Sequence, residues 1–332
     1  MFLHLLTPLR NDSMAIYRIY FHVHGILLLI GFFVSLLGGC AGFRQLEMPP
    51  LPENIPPRHE LAAVPFFPQE AYQCGPAALA MALRSSGLSV IPGDLVAEVY
   101  TPSRKGSLQM AMIGATRRHA RLAYEITDLD SIFPEIAAGH PVVILQNLGL
   151  SWYPVWHYAV AIGYDVTEGN VILRSGVNPR KLMPFGVFEK TWARSNYWGL
   201  LVLQPTQLPA TVKEETFLAA VLGLEKARQF QASISGYTTA IKRWPQSFPA
   251  RMGLGNSYYA IGDLKSSERA FREAIRLHPN AGSAYNNLAQ VLLEQGRFHE
   301  ALGAACKAVS LGGPWEATYQ ETLREIKSHI IR

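Results

Sequence analysis

The last third of the chain repeats itself at intervals of 34 residues. Three alanines stand at the same place in successive copies, at Ala240, Ala274 and Ala308. Pro245 and Pro279 share this spacing. A fixed period of this length is typical of a helix–turn–helix unit that buries its apolar face only by stacking on its neighbours. Residues 213–332 are therefore predicted to form an all-α solenoid.

The repeats resemble the tetratricopeptide pattern of paired helices. Leu254-Gly255 and Tyr258 stand at the pattern's first-helix positions, and Tyr237 and Phe271 match each other in the second helices. The middle repeat is close to the consensus, the first is degraded and the third is partial. The resemblance implies a concave surface that binds peptide segments or a protein partner. Cys306, in the last repeat helix, is expected to pack without any chemistry.

A single cysteine opens an alanine-rich helix in the first half of the chain. Pro76 suits the first turn of such a helix, and Leu79 and Leu83 fall on one helical face. The N–H groups and the positive end of the dipole at a helix start favour a thiolate, which is the nucleophilic form of cysteine. Cys74 is therefore predicted to be a catalytic nucleophile. The alternative is a small buried cysteine that only packs.

The neighbours of this cysteine resemble a family. Val64-Pro65-Phe66-Phe67, a following glutamine and Cys74-Gly75-Pro76-Ala77-Ala78-Leu79 are similar to the papain-like cysteine peptidases that remove double-glycine leaders from bacteriocin precursors. The resemblance covers roughly residues 60–205. It implies that Cys74 is the nucleophile and that an upstream glutamine helps to form the oxyanion hole. Gln69, five residues before Cys74, is the first candidate for that glutamine, and Gln73 is the second.

The resemblance also implies a histidine base at the start of a later strand. His157-Tyr158-Ala159-Val160 resembles the family's general-base motif, and it follows the aromatic loop Trp152–Trp156 directly. We therefore predict that His157 is the base and that this loop, with Tyr72, lines the substrate cleft. Ordinary core packing is the alternative for the aromatic residues. The other histidines between residues 58 and 205 are expected to be structural: His59, His119 and His140.

The third catalytic member departs from the family pattern. The family places an aspartate at the end of the next strand, where Ser175 stands in this chain. If the hairpin turns around Thr167-Glu168, paired residue numbers sum to 335 and His157 faces Asn178 on the same face of the sheet. Asn178 is therefore predicted to orient the imidazole, with a simple turn residue as the alternative. Asp165 lies about 26 Å along the strand from His157, which is too far.

The order of elements predicts the fold class. Helices come first, and strands are expected at 122–126, 141–146, 157–164, 170–174 and 200–203. Helices followed by an antiparallel sheet make an α+β arrangement, which is also the order of the papain-like fold. We predict an α+β papain-like cysteine peptidase domain at 63–206, followed by the all-α tetratricopeptide solenoid at 213–332.

The N-terminus resembles a bacterial lipoprotein signal. Gly25–Leu37 is a 13-residue apolar core, which fits the length of about 7–15 expected in a secretory signal and falls short of a bilayer span. Leu37-Gly38-Gly39-Cys40 resembles a lipobox, so residues 1–39 are predicted to be removed and Cys40 to be lipidated. An uncleaved signal anchor is the alternative. The true start is either Met1 or Met14.

The predicted lipid anchor places the protein in the bacterial cell envelope. Two or more acyl chains would hold the mature chain firmly on a membrane. Ala41 after the cysteine, rather than an aspartate, indicates the outer membrane, with the protein facing the periplasm. Residues 40–62 contain five prolines and are predicted to be an extended tether.

Composition excludes several other classes of protein. The formal net charge of the 332-residue chain is only +5 and there is no dense Lys/Arg patch, so nucleic acid is not an expected partner. The three cysteines form no Cys-x-x-Cys motif, and no His-Glu-x-x-His motif occurs, so neither a metal site nor a disulfide scaffold is expected. No cofactor is expected either.

Three functions fit these features. The first is a lipid-anchored cysteine peptidase (a hydrolase) whose repeats recruit a substrate or partner. The second is a peptidase-like domain that is catalytically inactive and only binds peptides or acts as a scaffold, which the serine at 175 favours. The third is a transferase or amidase that uses the same residues. No Gly-x-x-x-x-Gly-Lys loop is present, so leader cleavage coupled to ATP-driven export is not expected.

Overall fold

A computed structural model describes residues 51–53, 55–69 and 73–330 of the chain. The predicted signal peptide, the lipidation site at Cys40 and Tyr72 lie outside the described residues. Among the residues that are described, no helix is both long enough and apolar enough to cross a bilayer.

Residues 58–203 form a domain built around one antiparallel sheet, here named the sheet domain. Its strands are β1 Arg58–Glu60, β2 Tyr100–Thr101, β3 Gly106–Ser107, β4 Leu122–Ile126, β5 Val142–Asn147, β6 Trp156–Asp165, β7 Asn170–Ser175, β8 Asn178–Pro184 and β9 Gly199–Leu203. Its helices are α1 Cys74–Ser85, α2 Pro92–Val99, α3 Gln109–Arg118, α4 Ile132–Ala137 and α5 Phe185–Ala193, with a 3₁₀ turn at Pro102–Arg104.

The main sheet runs in the order β4-β9-β5-β6-β7-β8, and β2 and β3 form a separate small ribbon. β5 is buried on both faces along its whole length, which explains why its sequence is a continuous apolar run rather than an alternating one. β6 is the central element, because β5 pairs with its first half, β7 pairs with its second half, and β1 pairs beside the end of β5.

Helices cover both faces of this sheet. One face packs against α1, α2 and α3, and its alternate strand residues include Val143, Val160 and Ile172. The other face packs against α4 and α5 through the intervening residues, such as Ile144, Ala161 and Leu173. The period of two along each strand therefore divides the apolar residues between two cores.

The predicted fold class is confirmed, and all five predicted strands are present within one residue at each end. Besides the short strands β1, β2 and β3, two elements of the sheet domain were not predicted, namely β8 and α5. β8 is mostly exposed and lacks the apolar alternation that marks a half-buried strand. α5 follows it, and the main helix signal in its sequence is the pair Phe188 and Trp192, which lie on one helical face.

The predicted tether at 40–62 extends too far, because its last residues form β1. His59 pairs with Tyr164, and Arg58 forms an ion pair with Asp165 at 3.5 Å. The approach is possible because residue 163 is a glycine, whose absent Cβ would lie 2.7 Å from the carbonyl oxygen of His59. The polar sequence of β1 hides this strand, since its partners come from more than a hundred residues away.

The C-terminal part is all-helical, as the repeat pattern predicts, and its described residues form seven consecutive helices. They are α6 Glu214–Lys226, α7 Phe230–Arg243, α8 Phe248–Ala260, α9 Leu264–Leu277, α10 Gly282–Glu294, α11 Phe298–Leu311 and α12 Glu316–Ile330. The three repeat alanines are fully buried where helices touch. A charged cluster joins successive repeats: burial alone would raise the pKa of Glu268, but hydrogen bonds from Arg272 and Arg297 lower it to about 2.

The first repeat helix shares a core with the sheet domain. Phe217, Val221 and Leu224 of α6 are fully buried in the same cluster as strands β4, β5 and β9. The connection at 204–213 is held by Glu135, a fully buried carboxylate that accepts hydrogen bonds from the backbone of Ala210 and Thr211. The sequence predicts two parts, whereas the structure joins them through one continuous apolar core.

Candidate active site

Cys74 is the first residue of α1, and its thiol is half-buried. Burial raises the pKa of this thiol, while the backbone N–H groups of Tyr158, Gly75 and Cys74 itself act in the opposite direction. The predicted thiolate is therefore not favoured at rest, because desolvation outweighs the helix N-terminus. The involvement of Tyr158 shows that the thiol lies against the residue next to His157.

His157 is the second residue of β6 and is partly exposed at the sheet edge of the cleft. Burial, together with the positive charge of Lys181, lowers the pKa of its imidazole to about 4. The ring is therefore neutral at pH 7. A neutral imidazole has one nitrogen that accepts a proton, so it can act as a base without first losing one.

The group that orients His157 is Ser175, at the end of β7. The Nε2 atom of His157 lies 2.9 Å from the Oγ atom of Ser175. Because Nε2 is engaged there, Nδ1 is the ring nitrogen that remains for another partner. The hydroxyl thus occupies the position where the resembling family carries an aspartate.

The prediction that Asn178 orients His157 is wrong. The predicted register holds from Gly163 to Asp165, where the paired residue numbers of β6 and β7 sum to 335. A bulge between Ala161 and Gly163 then shifts the register by one residue, so the sum is 334 on the side nearer His157. Asn178 instead belongs to β8, where it is exposed and its Oδ1 accepts a hydrogen bond from the backbone N–H of Arg180. A bulge of one residue leaves no reliable sequence signal.

Gln69 lies in the same cleft as Cys74 and His157. Its Nε2 donates to the carbonyl oxygen of Tyr158 at 3.0 Å, and its Oε1 accepts from the N–H of Gly176 at 2.8 Å. These two bonds attach the glutamine to the strand of the predicted base and to the turn after Ser175. Gln73, the second candidate, is the N-cap residue of α1 and is not among the described residues that line the cleft.

The segment that carries Gln69 is held in place by Arg174. The Nη2 atom of this arginine donates to the carbonyl oxygens of Ala62 and Val64, at 3.0 and 2.8 Å. Arg174 is buried, and it precedes Ser175 in β7. A single strand therefore positions both the partner of His157 and the lead-in to Gln69.

Gly75 permits the close approach of α1 to the β2–β3 ribbon. A Cβ atom at this position would lie 2.2 Å from the Oγ atom of Ser107. Tyr158 adds a second link to the same place, because its hydroxyl donates to the carbonyl oxygen of Ser107 at 3.2 Å. The glycine after the cysteine is therefore required by packing around the thiol, whatever the chemistry of the site.

The three predicted residues open into a cleft of about 960 Å³. Tyr153 and Trp156 line it, in agreement with the prediction for the aromatic loop, whereas Trp152 is 80% exposed and is not among the described lining residues. Sequence reasoning missed Arg104, Ser107 and Arg194, which also line the cleft. No motif marks them, since they come from a 3₁₀ turn, a short strand and a helix end.

Metal binding would require several ligating side chains that lie together among the described residues. Within residues 51–330, apart from the gaps at 54 and 70–72, no group of three or more His, Cys, Asp or Glu side chains is placed to hold an ion.

Comparisons with known families identify two parts of the chain. Residues 61–199 match the model of the Peptidase_C39-like family, and residues 218–268 and 254–311 match that of the tetratricopeptide repeat. The chain thus contains a C39-like peptidase domain followed by C-terminal tetratricopeptide repeats.

Similar proteins cover one part of the chain or the other. The DnaJ homolog subfamily C member 7 proteins of mouse and human are each 38% identical, over 89 and 76 residues, and the matches span only 17% and 15% of their lengths. A crystal structure of a C39-like peptidase from Bacillus anthracis is 20% identical, with a TM-score of 0.39, over 44% of this chain and 97% of that one. The first tetratricopeptide domain of Spaghetti (RPAP3), bound to an HSP90 peptide, is 16% identical, with a TM-score of 0.35, over 36% of this chain and 97% of that one.

Proposed function

We propose that this chain is a cysteine peptidase that hydrolyses peptide bonds with Cys74 as nucleophile and His157 as general base. The observation that carries the proposal is the cleft itself, which holds the thiol of Cys74, the imidazole of His157 and the side-chain amide of Gln69. These are the groups that acyl transfer requires: a nucleophile, a base and a donor for the oxyanion.

The proposed reaction begins with attack of the Cys74 sulfur on a substrate carbonyl carbon. The thiol proton passes to His157, and the carbonyl oxygen becomes an oxyanion that the Cys74 N–H and the second N–H of Gln69 Nε2 stabilise. The C–N bond then breaks, and His157 returns the proton to the leaving amine. Water, deprotonated by His157, hydrolyses the thioester and restores the thiol.

The resting protonation states fit transfer of the proton during attack rather than before it. The pKa of the thiol is raised by burial, and that of His157 is lowered to about 4 by burial and by Lys181. A thiolate–imidazolium pair is therefore disfavoured in the free protein. Ser175 supplies no negative charge to change this, so the enzyme would depend on substrate binding to bring the thiol and the imidazole into reaction.

A second candidate function is a peptide-binding or scaffold protein without catalysis. The hydrogen bond between His157 and a hydroxyl, in place of a carboxylate, favours this function, because a serine stabilises the imidazolium much less than an aspartate does. The same cleft would then hold a peptide and release it unchanged.

We further propose that the protein acts in the bacterial envelope and that its repeats bind a partner or substrate. The support for the location is the apolar core Gly25–Leu37 and the lipobox-like Leu37-Gly38-Gly39-Cys40. The support for the partner is the helical repeat array, an architecture that generally mediates protein–protein contacts. Membrane fractionation of the Cys40→Ser variant tests the anchor, since loss of the lipid would release the chain into the soluble fraction.

Peptide cleavage tests the peptidase proposal directly. The full-length chain, in detergent, is incubated with a peptide library that includes Gly-Gly sequences, and new N-termini are identified by mass spectrometry. We expect cleavage products that disappear with Cys74→Ser and with His157→Ala. If peptides bind to the wild-type chain but none is cut, the binding function is correct instead.

A further inference from the structure

The described charged residues that line the cleft are all basic. Among the described residues that line it there is no aspartate or glutamate, whereas Arg104, Lys105 and Arg194 are basic. Arg104 is exposed at the 3₁₀ turn, so its guanidinium can reach a bound ligand. The whole chain has a formal net charge of only +5, so its acidic residues nearly balance its basic ones. None of those acidic residues is among the described residues that line the cleft.

The basic residues come from separate parts of the fold. Arg104 and Lys105 precede β3, beside the glycine that follows Cys74. Arg194 follows α5, and its Nη1 donates to the carbonyl oxygens of Asn147 and Gly149, at 3.0 and 2.6 Å. That guanidinium therefore fixes the start of the aromatic loop and at the same time places a positive charge at the cleft.

The positive field extends to the reacting groups. Burial is the larger cause of the lowered pKa of His157, and the positive charge of Lys181 in β8 acts in the same direction. The cleft is also flanked by apolar surface, with Leu108 and Trp156 each about half exposed. Low-dielectric walls around charges of one sign concentrate the electric field and attract ligands of the opposite sign.

We propose that this cleft selects peptide segments that carry negatively charged side chains close to the bond presented to Cys74. The inference rests on the proposed function in that a peptide bond is presented to Cys74, but the charge preference itself concerns binding alone. Glutamate and aspartate side chains would pair with Arg104 and Arg194, whereas a lysine-rich segment would be repelled. Such complementarity changes association and specificity more than it changes total affinity.

A charged and a neutral alkylating reagent together test the sign of the electrostatic potential in the cleft without any peptide substrate. The full-length chain carries Cys40→Ser and Cys306→Ser, so that Cys74 is the only thiol, and its rates with iodoacetate and iodoacetamide are compared. The ratio of the two rates cancels any change in thiol pKa, which affects both reagents equally. We expect a ratio above that of N-acetylcysteinamide, a neutral thiol.

Matched charge reversals locate the effect. Arg104→Glu is expected to lower the iodoacetate-to-iodoacetamide ratio by about three-fold at low salt, and 0.5 M NaCl should remove most of the difference. Lys265→Glu makes the same charge change on the exposed face of α9 and should leave the ratio unaltered. A ratio at or below that of the reference thiol, or an equal fall in both variants, would overturn the inference.

Peptide binding provides the second measurement. Two fluorescein-labelled decapeptides of alanine and serine, one with three glutamates and one with three lysines, are titrated into the Cys74→Ser variant. Tighter binding of the glutamate peptide, lost in Arg104→Glu, supports the inference, and equal or reversed affinities contradict it. If the chain binds the glutamate peptide more tightly but cleaves no peptide, the charge preference is supported and the proposed function is contradicted. If the chain cleaves peptides without any charge preference, the proposed function is supported and the charge preference is contradicted.

Discussion

His157 and Ser175 are joined by a hydrogen bond of 2.9 Å between Nε2 and Oγ. A carboxylate at the position of Ser175 could only accept a hydrogen bond. It would therefore hold the proton on Nε2 of His157 and stabilise the imidazolium. A hydroxyl both donates and accepts, so it tolerates either tautomer and adds no charge. The low pKa of His157, caused by burial and by Lys181, is consistent with this uncharged partner.

Restoring a carboxylate at position 175 should therefore activate the thiol. Ser175→Asp is expected to raise the pKa of His157, because a nearby negative charge favours the imidazolium. The pH midpoint for alkylation of Cys74 by iodoacetamide should fall by about one unit as a result. Ser328→Asp, on the exposed face of α12, serves as the control. An unchanged midpoint in Ser175→Asp would mean that residue 175 does not govern the imidazole.

The partly buried imidazole of His157 should make the protein less stable in mild acid. The pKa of His157 is lowered from 6.5 to about 4 in the folded chain, so the unfolded chain binds the extra proton between these values. Stability is then complete above pH 6.5 and declines as the pH falls towards 4, by about 3 kcal/mol from this group.

Urea unfolding at pH 7 and at pH 4.5 measures this loss. His157→Gln cannot titrate, and it should lose less stability over the interval than the wild-type chain does. His299→Gln replaces an exposed histidine of α11 and should behave as the wild type. Equal losses in the wild type and in His157→Gln would show that protonation of His157 is not coupled to folding.

Gly75→Ala should disturb the thiol without touching a reacting atom. The added Cβ would meet the Ser107 side chain, 2.2 Å from its Oγ atom, so α1 or β3 must shift. We expect a loss of about 1–3 kcal/mol in unfolding free energy, together with slower alkylation of Cys74. Ser107→Gly should rescue both properties in the double variant. Gly303→Ala, where a Cβ meets nothing within 4 Å, is the matched control and should be neutral or stabilising.

Glu135→Ala should loosen the joint between the sheet domain and the repeats. The carboxylate accepts hydrogen bonds from the backbone N–H groups of Ala210 and Thr211 and from the Thr211 hydroxyl, and it contacts His140 Nδ1 at 2.8 Å. Removing it leaves these groups buried without an acceptor, which we expect to cost about 3 kcal/mol or more.

Urea unfolding and limited proteolysis at 204–213 would detect the loosened joint. Proteases should cut this connection faster in Glu135→Ala than in the wild type. Glu168→Ala, at the exposed β6–β7 turn, should change neither measurement. Unaltered proteolysis in Glu135→Ala would show that the apolar core alone holds the connection.

The sequence predicted those parts of the fold that local patterns determine. The 34-residue period and the apolar runs of β5 and β6 are visible in the sequence without knowledge of any long-range pairing, so both the repeats and the main strands were predictable. β1 was missed because its strand identity comes from pairing with Tyr164 and its neighbours, a contact across more than a hundred residues.

The candidate site was predictable as a set of residue types but not as a geometry. Cys74, Gln69 and His157 were identified from motifs, and the structure brings all three to one cleft. The partner of His157 depends on the bulge between Ala161 and Gly163, which shifts the register by one residue. The thiol pKa depends on burial by distant segments, which no helix-start signal reveals.

Turnover of an activated ester tests the central claim, the pairing of Cys74 with His157, most directly. p-Nitrophenyl acetate needs no knowledge of the natural substrate, because its leaving group requires no proton. The full-length chain carrying Cys40→Ser and Cys306→Ser should release a burst of about one equivalent of p-nitrophenol and then continue at a steady rate. His157→Ala should slow the burst strongly and show no steady turnover, since no base takes the thiol proton or activates water for deacylation, and Cys74→Ser should show no burst. Steady turnover that survives His157→Ala, or a burst that survives Cys74→Ser, would contradict the account.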